Sequence, residues 1–175
     1  MGSMKRVREI MVPIDHYPSV RDNATLQDAI AVIDGARLDV GGRKSLPRLV
    51  LVFDAIQVLV GYVRRRDIMR GLEPQFLVHQ PLEYRKMRFD VPDDPNLSEL
   101  PFDRTVSRIR QQAARPVSDI MQPIPTIIDA DDHLMKAIHE MVTLNLYLIP
   151  VIHEKRLVGV VRSVDMIHEL AQLLS

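Results

Sequence analysis

The chain has 175 residues, 46% of them hydrophobic and 26% charged, and its 23 Lys plus Arg balance 23 Asp plus Glu to a formal net charge of zero. That balance argues against nucleic acid or an anionic membrane as the main partner, and the absence of cysteine excludes disulfides, thiolate nucleophiles and zinc–thiolate sites. A chain of this length buries roughly 70% of its extended surface, enough for a core without staples, and its apolar runs fall far short of the ~20 residues of a membrane span. Met1-Gly2-Ser3 reads as an expression scar ahead of a natural start at Met4, and with no signal peptide the expectation is a soluble, cytoplasmic protein.

In chain order, Val7-Arg8-Glu9-Ile10-Met11-Val12-Pro13-Ile14 comes first, then Leu26, Ala29, Ile30 and Ile33 at the spacing of an amphipathic helix. Asn23 or Thr25 supplies the cap that starts it. Asp39-Val40-Gly41-Gly42-Arg43-Lys44-Ser45 reads as a loop of glycines and charges. The apolar runs 49–53 and 58–63 flank a polar turn and predict a hairpin, which leads into Gly61-Tyr62-Val63-Arg64-Arg65-Arg66-Asp67. From Glu73 to Pro116 runs a connector broken by Pro74, Pro81, Pro92, Pro95 and Pro101, with a helix expected only over 103–114. Its mixture of Arg85, Lys86, Arg88, Arg104, Arg108 and Arg110 with Phe89, Leu97, Leu100 and Phe102 predicts an ordered arm rather than a free linker.

The pattern then repeats. Val117-Ser118-Asp119-Ile120-Met121-Gln122-Pro123-Ile124 matches the first block at five of eight positions. After the short β-branched run Thr126-Ile127-Ile128, Leu134, Ala137, Ile138 and Met141 form a second helical stripe, with Asp131 or Asp132 as its start. The runs 146–152 and 157–161 enclose the turn His153-Glu154-Lys155-Arg156. Gly159-Val160-Val161-Arg162-Ser163-Val164-Asp165 then opens a last helix. Leu26 to Gly61 spans 35 residues and Leu134 to Gly159 only 25, which places an insertion near 39–45. Three matched blocks in one order make the chain a tandem repeat.

The order "Ile-Met-x-Pro", "Leu-x-x-Ala", then "Gly-Val-Val-x-x-x-Asp" resembles the CBS domain, named after cystathionine β-synthase, whose tandem pair is called a Bateman module. The resemblance covers 5–72 and 115–174 and leaves 73–114 as connector. It implies an α/β fold of two βαββα repeats about a pseudo-twofold axis. It also implies inter-repeat clefts for an adenine ligand such as AMP, ADP, ATP or S-adenosylmethionine, with no cofactor required. The family's ribose-binding Asp maps onto Asp67 and Asp165, but its Ser/Thr is replaced by Arg64 and Arg162, with Ser163 one position later. Two meanings stand side by side: the arginines hold phosphate near a helix N-terminus, or they pair with the Asp and fill the cleft.

The second-repeat cleft ranks first. Adenine is expected between Tyr147 to Pro150 and the approach at Ile124 and Thr126, the ribose on Asp165, and the phosphate on the helix start and Arg162. Asp67 and Asp165 have a plain alternative as carboxylates in a first helical turn, and the two Ile-Met pairs read as packing. His16, His79, His133, His139, His153 and His168 form no ligand motif, and no nucleophile motif exists, so neither a metal site nor an enzyme is expected. The reading is a regulatory sensor that signals by shape change to a downstream protein; the alternative is a ligand-free scaffold. The apolar helix stripes and Leu170, Leu173 and Leu174 predict a homodimer.

Overall fold

A computed structural model describes residues 4–73 and 101–175. The part of the connector over 74–100, with most of the expected arm, lies outside the described residues. Nine strands and five helices are described: β1 (Val12–Pro13), β2 (Ser19–Arg21), α1 (Leu26–Gly35), β3 (Leu38–Val40), β4 (Arg43–Ser45), β5 (Leu49–Phe53), β6 (Leu59–Arg64), α2 (Arg65–Leu72), α3 (Phe102–Ala113), β7 (Ile128–Asp129), α4 (Leu134–Thr143), β8 (Leu148–His153), β9 (Arg156–Arg162) and α5 (Ser163–Leu174). The helix expected over 103–114 is therefore present one residue earlier.

Each repeat forms its own small sheet with helices packed on it. In the first, β2 runs parallel to β5 and β5 antiparallel to β6. In the second, β7 runs parallel to β8 and β8 antiparallel to β9. What joins the two halves is an exchange of segments. The start of the matched block, Val7 to Met11, packs on the other repeat, and Val12 lies between the two, clustered with Leu38, Leu49 and Leu51 of its own repeat and Leu148 and Val160 of the other. The Val7 and Arg8 N–H groups donate to the Asp132 and Ala130 carbonyls at 3.0 and 2.9 Å, Lys5 pairs with Glu169 at 2.8 Å, and β1 pairs with β9. Val7 and Ile10 are buried in the second repeat's core with Ile128, Leu134, Ala137, Ile149 and Val161. Reciprocally, Val117 is buried among Ala29, Ile33, Val50, Val52 and Val63, while Gln122 exchanges backbone bonds with Tyr62 at 2.8 and 3.0 Å. Each half thus keeps a face of its core dry with a segment drawn from the other.

The exchange explains the two glycines of the repeated motif. A Cβ on Gly159 would lie 2.5 Å from the Val12 carbonyl oxygen, and one on Gly61 2.7 Å from that of Gln122. Only a glycine in the strand lets the crossing backbone approach so closely.

Three expectations need correction. The insertion is a β3–β4 hairpin, not a loop, because Gly41 and Gly42 both take positive φ (59° and 78°) and make the tight primed turn that strands favour. Thr25 caps α1 in a reciprocal pair with Asp28, but α4 starts after His133, because the Asp132 carboxylate instead accepts the Asp129 N–H and the Lys136 ammonium. Of the two stripes, Leu26, Ala29, Leu134, Ala137 and Met141 face the module's own core and are buried, so these five are not what a partner would cover, while Ile30 is 37% exposed.

Gly159→Ala is expected to destabilise the chain by about 1–3 kcal/mol, because neither backbone can retreat without breaking the β1–β9 pairing. Urea unfolding checks this, and an unchanged midpoint would contradict the segment exchange.

Candidate functional site

The exchange also decides which residues meet in the clefts between the sheets. Because 117–125 crosses to the first repeat, Ile124 and Pro125 arrive beside Leu49, Tyr62 and Arg64, facing 145–148 and Pro150. Because the N-terminal segment crosses the other way, Tyr17 arrives beside Leu148, Arg162, Ser163 and Val164, facing 45–49. Six of the expected site residues are divided between two pseudo-equivalent clefts, while Asp67 lines a third cavity of about 280 Å³ with Arg70, Arg115 and Gln122. Arg162, Ser163 and Tyr147 line one. Ile124, Pro150 and Arg64 line the other, where Tyr147 also reaches. Thr126 lines neither of these, and its hydroxyl lies 3.5 Å from the Ile127 carbonyl.

The two clefts differ in size. The Arg162 cleft encloses about 420 Å³; the Arg64 cleft encloses about 20 Å³, too little for anything larger than a water or two. The hairpin insertion contributes to the difference, since Ser45 and Leu46, together with Pro47, stand in the wall of the larger cleft only.

In both repeats the arginine grips the aspartate. Arg64 donates from Nε and Nη2 to the Asp67 carboxylate, each at 2.8 Å, and its backbone N–H adds a third bond at 2.9 Å. Arg162 donates to Asp165 from the same two nitrogens at 2.7 and 2.8 Å, and its Nη1 reaches the Ser45 hydroxyl at 2.9 Å. Both carboxylates are almost wholly buried, at 3% and 2% exposure. The implied ribose role therefore competes with a bidentate guanidinium at both positions, and Asp165 stands behind Arg162 rather than in the cleft wall.

Burial pushes the Asp67 carboxyl up, but the side-chain and backbone bonds from Arg64 outweigh it and hold the group below the ordinary carboxylate range. Arg64, 37% exposed at its side chain, is correspondingly raised by Asp67. In the larger cleft, burial pushes the Tyr17 phenol up against the lowering pull of Arg162 and Arg65. Tyr17 stays protonated, donates to the Leu49 carbonyl at 3.0 Å and lines the cleft. Arg48 lies over the Tyr147 ring at 4.8 Å and places a second guanidinium in the wall. Sequence reasoning missed Tyr17, Arg48, Ser45 and Leu46. Tyr17 comes by the exchange, and the others flank or belong to an insertion with no counterpart in the second repeat.

Asp129, Asp131 and His153 bring one ligand atom each within 4.8 Å of one another. No sequence motif signalled this group, because it forms between β7, the turn after it and the end of β8. Its members already have partners: Asp131 pairs with Arg8, and Asp129 accepts the Asp131 N–H at 2.9 Å.

Removing Asp165 alone leaves buried Arg162 without its counter-charge and is expected to cost about 3–5 kcal/mol. The paired replacement Arg162→Met with Asp165→Leu is expected to cost much less. Equilibrium unfolding of Asp165→Ala and the double variant checks this; equal losses would mean that the pair is not a unit.

The family model for the CBS domain matches residues 7–74 and 117–172. No curated protein sequence matches the chain. Among solved structures, the CBS-pair protein CBSX2 from Arabidopsis thaliana is 16% identical with TM-score 0.63, covering 98% of each chain; a CBSX2 structure in complex with AMP is 16% identical with TM-score 0.61, covering 97% of this chain and 98% of that one. The CBS domain of a bacterial CNNM/CorC family Mg2+ transporter in complex with ATP is 18% identical with TM-score 0.61, covering 95% and 87%. At these identities the likeness concerns the fold. With both repeats matched, in sequence and in architecture, this chain belongs to the CBS-domain family and is a tandem CBS pair.

Proposed function

We propose that the chain is a regulatory module, not an enzyme, that binds an adenine nucleotide (AMP, ADP or ATP) in the Arg162 cleft and signals through a change of shape. The observation that carries this is the 420 Å³ cavity walled by Tyr17, Leu49, Tyr147, Leu148 and Ile167, with Arg48, Arg162 and the start of α5 at its polar edge. Its size lies within the range of about 300–1,000 Å³ typical of small-molecule sites. Apolar and aromatic walls suit a purine, and guanidiniums beside a helix N-terminus suit phosphate. That AMP and ATP occupy structural neighbours supports the choice of ligand. In this reading Arg162 contacts the ligand, and Asp165 is a positioning residue that fixes the guanidinium. In this reading the near-closed Arg64 cleft takes no nucleotide.

The signal has a short route to the surface. Leu46 lines both the cleft and a second groove of about 360 Å³, formed by Ile30, Ile33, Ile68 and Met69 between α1 and α2. Met69 is 64% exposed there, and Met135, Val142, Ile167, Leu173 and Leu174 are exposed on α4 and α5. We infer that these helix faces form a homodimer, burying apolar surface that favours aggregation when wet. No helix among the described residues is long and apolar enough to cross a membrane.

Calorimetry and thermal unfolding with AMP, ADP, ATP and S-adenosylmethionine test the function. Nucleotide at a hundred times its Kd is expected to add about 2.7 kcal/mol of stability, and Tyr147→Ala is expected to weaken binding. No heat and no stabilisation with any of them would reject the sensor reading in favour of a scaffold. In sedimentation, a species of twice the 20.0 kDa chain mass is expected at micromolar concentration; a monomer alone would reject the dimer.

A further inference from the structure

The ion pairs of the two clefts differ in their surroundings. At Asp67 the Arg64 guanidinium is the direct partner, and Arg70, whose charge also acts on that carboxylate, lines a different cavity from the Arg64 cleft. At Arg162 the hairpin adds a second cation: Arg43 Nη2 lies 3.9 Å from the same Asp165 oxygen that accepts Arg162 Nη2. Two guanidiniums share one carboxylate, and the Arg162 and Asp165 side chains are only 8% and 3% exposed. The Arg43 side chain is 38% exposed, so water shares in its charge. The cavity is lined by Arg48 and Arg162 and, among the described residues, by no carboxylate, and an anion entering it meets a positive potential. The hydroxyl of Ser45, on the same hairpin, anchors Arg162 Nη1, so that the guanidinium is fixed on two sides before any ligand arrives.

We propose that the β3–β4 hairpin makes this cleft selective for adenine ligands that carry phosphate, against neutral adenosine and against the cationic sulfonium of S-adenosylmethionine. Arg43 and Ser45 are then the specificity-determining residues. The selectivity comes from an insertion present in one repeat only, and it rests on the reading of the Arg162 cleft as an adenine nucleotide site. Arg43 acts through charge: by sharing Asp165 it frees part of the positive potential of Arg162 for the ligand. Ser45 acts through geometry, by holding the plane of the guanidinium.

The full chain is titrated by calorimetry with adenosine, AMP, ATP and S-adenosylmethionine, at low and at high salt. AMP and ATP are expected to bind at least tenfold tighter than adenosine or S-adenosylmethionine, with a margin that shrinks as salt screens it. Arg43→Ala, a change at a half-exposed hairpin side chain, is expected to weaken AMP and ATP about tenfold and to leave adenosine unmoved. Ser45→Ala is expected to weaken the phosphorylated ligands in the same direction. Adenosine or S-adenosylmethionine binding as tightly as AMP overturns the proposal while the nucleotide site stands. So does an Arg43→Ala variant that loses adenosine and AMP equally, since the hairpin would then be only a wall. Absence of binding by all four overturns the site itself, and the selectivity with it.

Discussion

The close crossing of two backbones at Gly159 and Gly61 governs both the stability of this molecule and the assembly of its clefts. Each repeat alone is a three-stranded sheet with its helices, and it leaves one core face and one strand edge unsatisfied. The segment that completes it belongs to the other repeat. Val7 and Val117, both fully buried, are the apolar anchors of the two crossings, and the β1–β9 and Tyr62–Gln122 pairings are their backbone seams. Because the seams need a carbonyl within 2.7 Å of where a Cβ would stand, glycine is required at both places. Folding and site assembly are thereby coupled: the crossing that buries Val7 also delivers Tyr17 to the Arg162 cleft.

Pseudosymmetry creates two clefts, and departures from it make them differ. Both carry a bidentate arginine–aspartate pair. An exposed pair of this kind contributes little, but here the carboxylates are buried and the pairing replaces lost water. What distinguishes the clefts is the ten-residue difference in spacing before the motif glycine. That insertion folds as a hairpin and contributes Ser45 and Leu46 to the wall of one cleft, and it adds Arg43 behind it. The same Leu46 touches the groove between α1 and α2, so the feature that shapes the ligand cavity also reaches the outer helical face.

Much of the fold was legible in the sequence because it depends on local periodicity. Leu26, Ala29 and Ile33 mark α1, and the apolar runs around Asp54 and Glu154 mark the hairpins. Asp67 and Asp165 mark the first turns of α2 and α5. The exchange was not legible, since the block Val7–Ile14 reads identically whether it packs on its own repeat or on the other. That ambiguity moved Ile124 from the Asp165 cleft to the Arg64 cleft, which Pro150 of β8 also lines, and hid Tyr17. The Gly41-Gly42 dipeptide gave a signal for a primed hairpin turn, but the charged residues around it read equally as loop. The two meanings of Arg64 and Arg162 needed the three-dimensional arrangement: both arginines pair with their aspartates, and the cleft lined by Arg162 is far roomier than the one lined by Arg64.

A structure of the chain grown with saturating AMP tests the central claim most directly, that segment exchange and one insertion leave a single working cleft. One nucleotide per chain is expected, its purine against Tyr147 and Leu148 and its phosphate toward Arg162, with the Arg64 cleft still closed. Nucleotide bound at Arg64, or equally in both clefts, would contradict it.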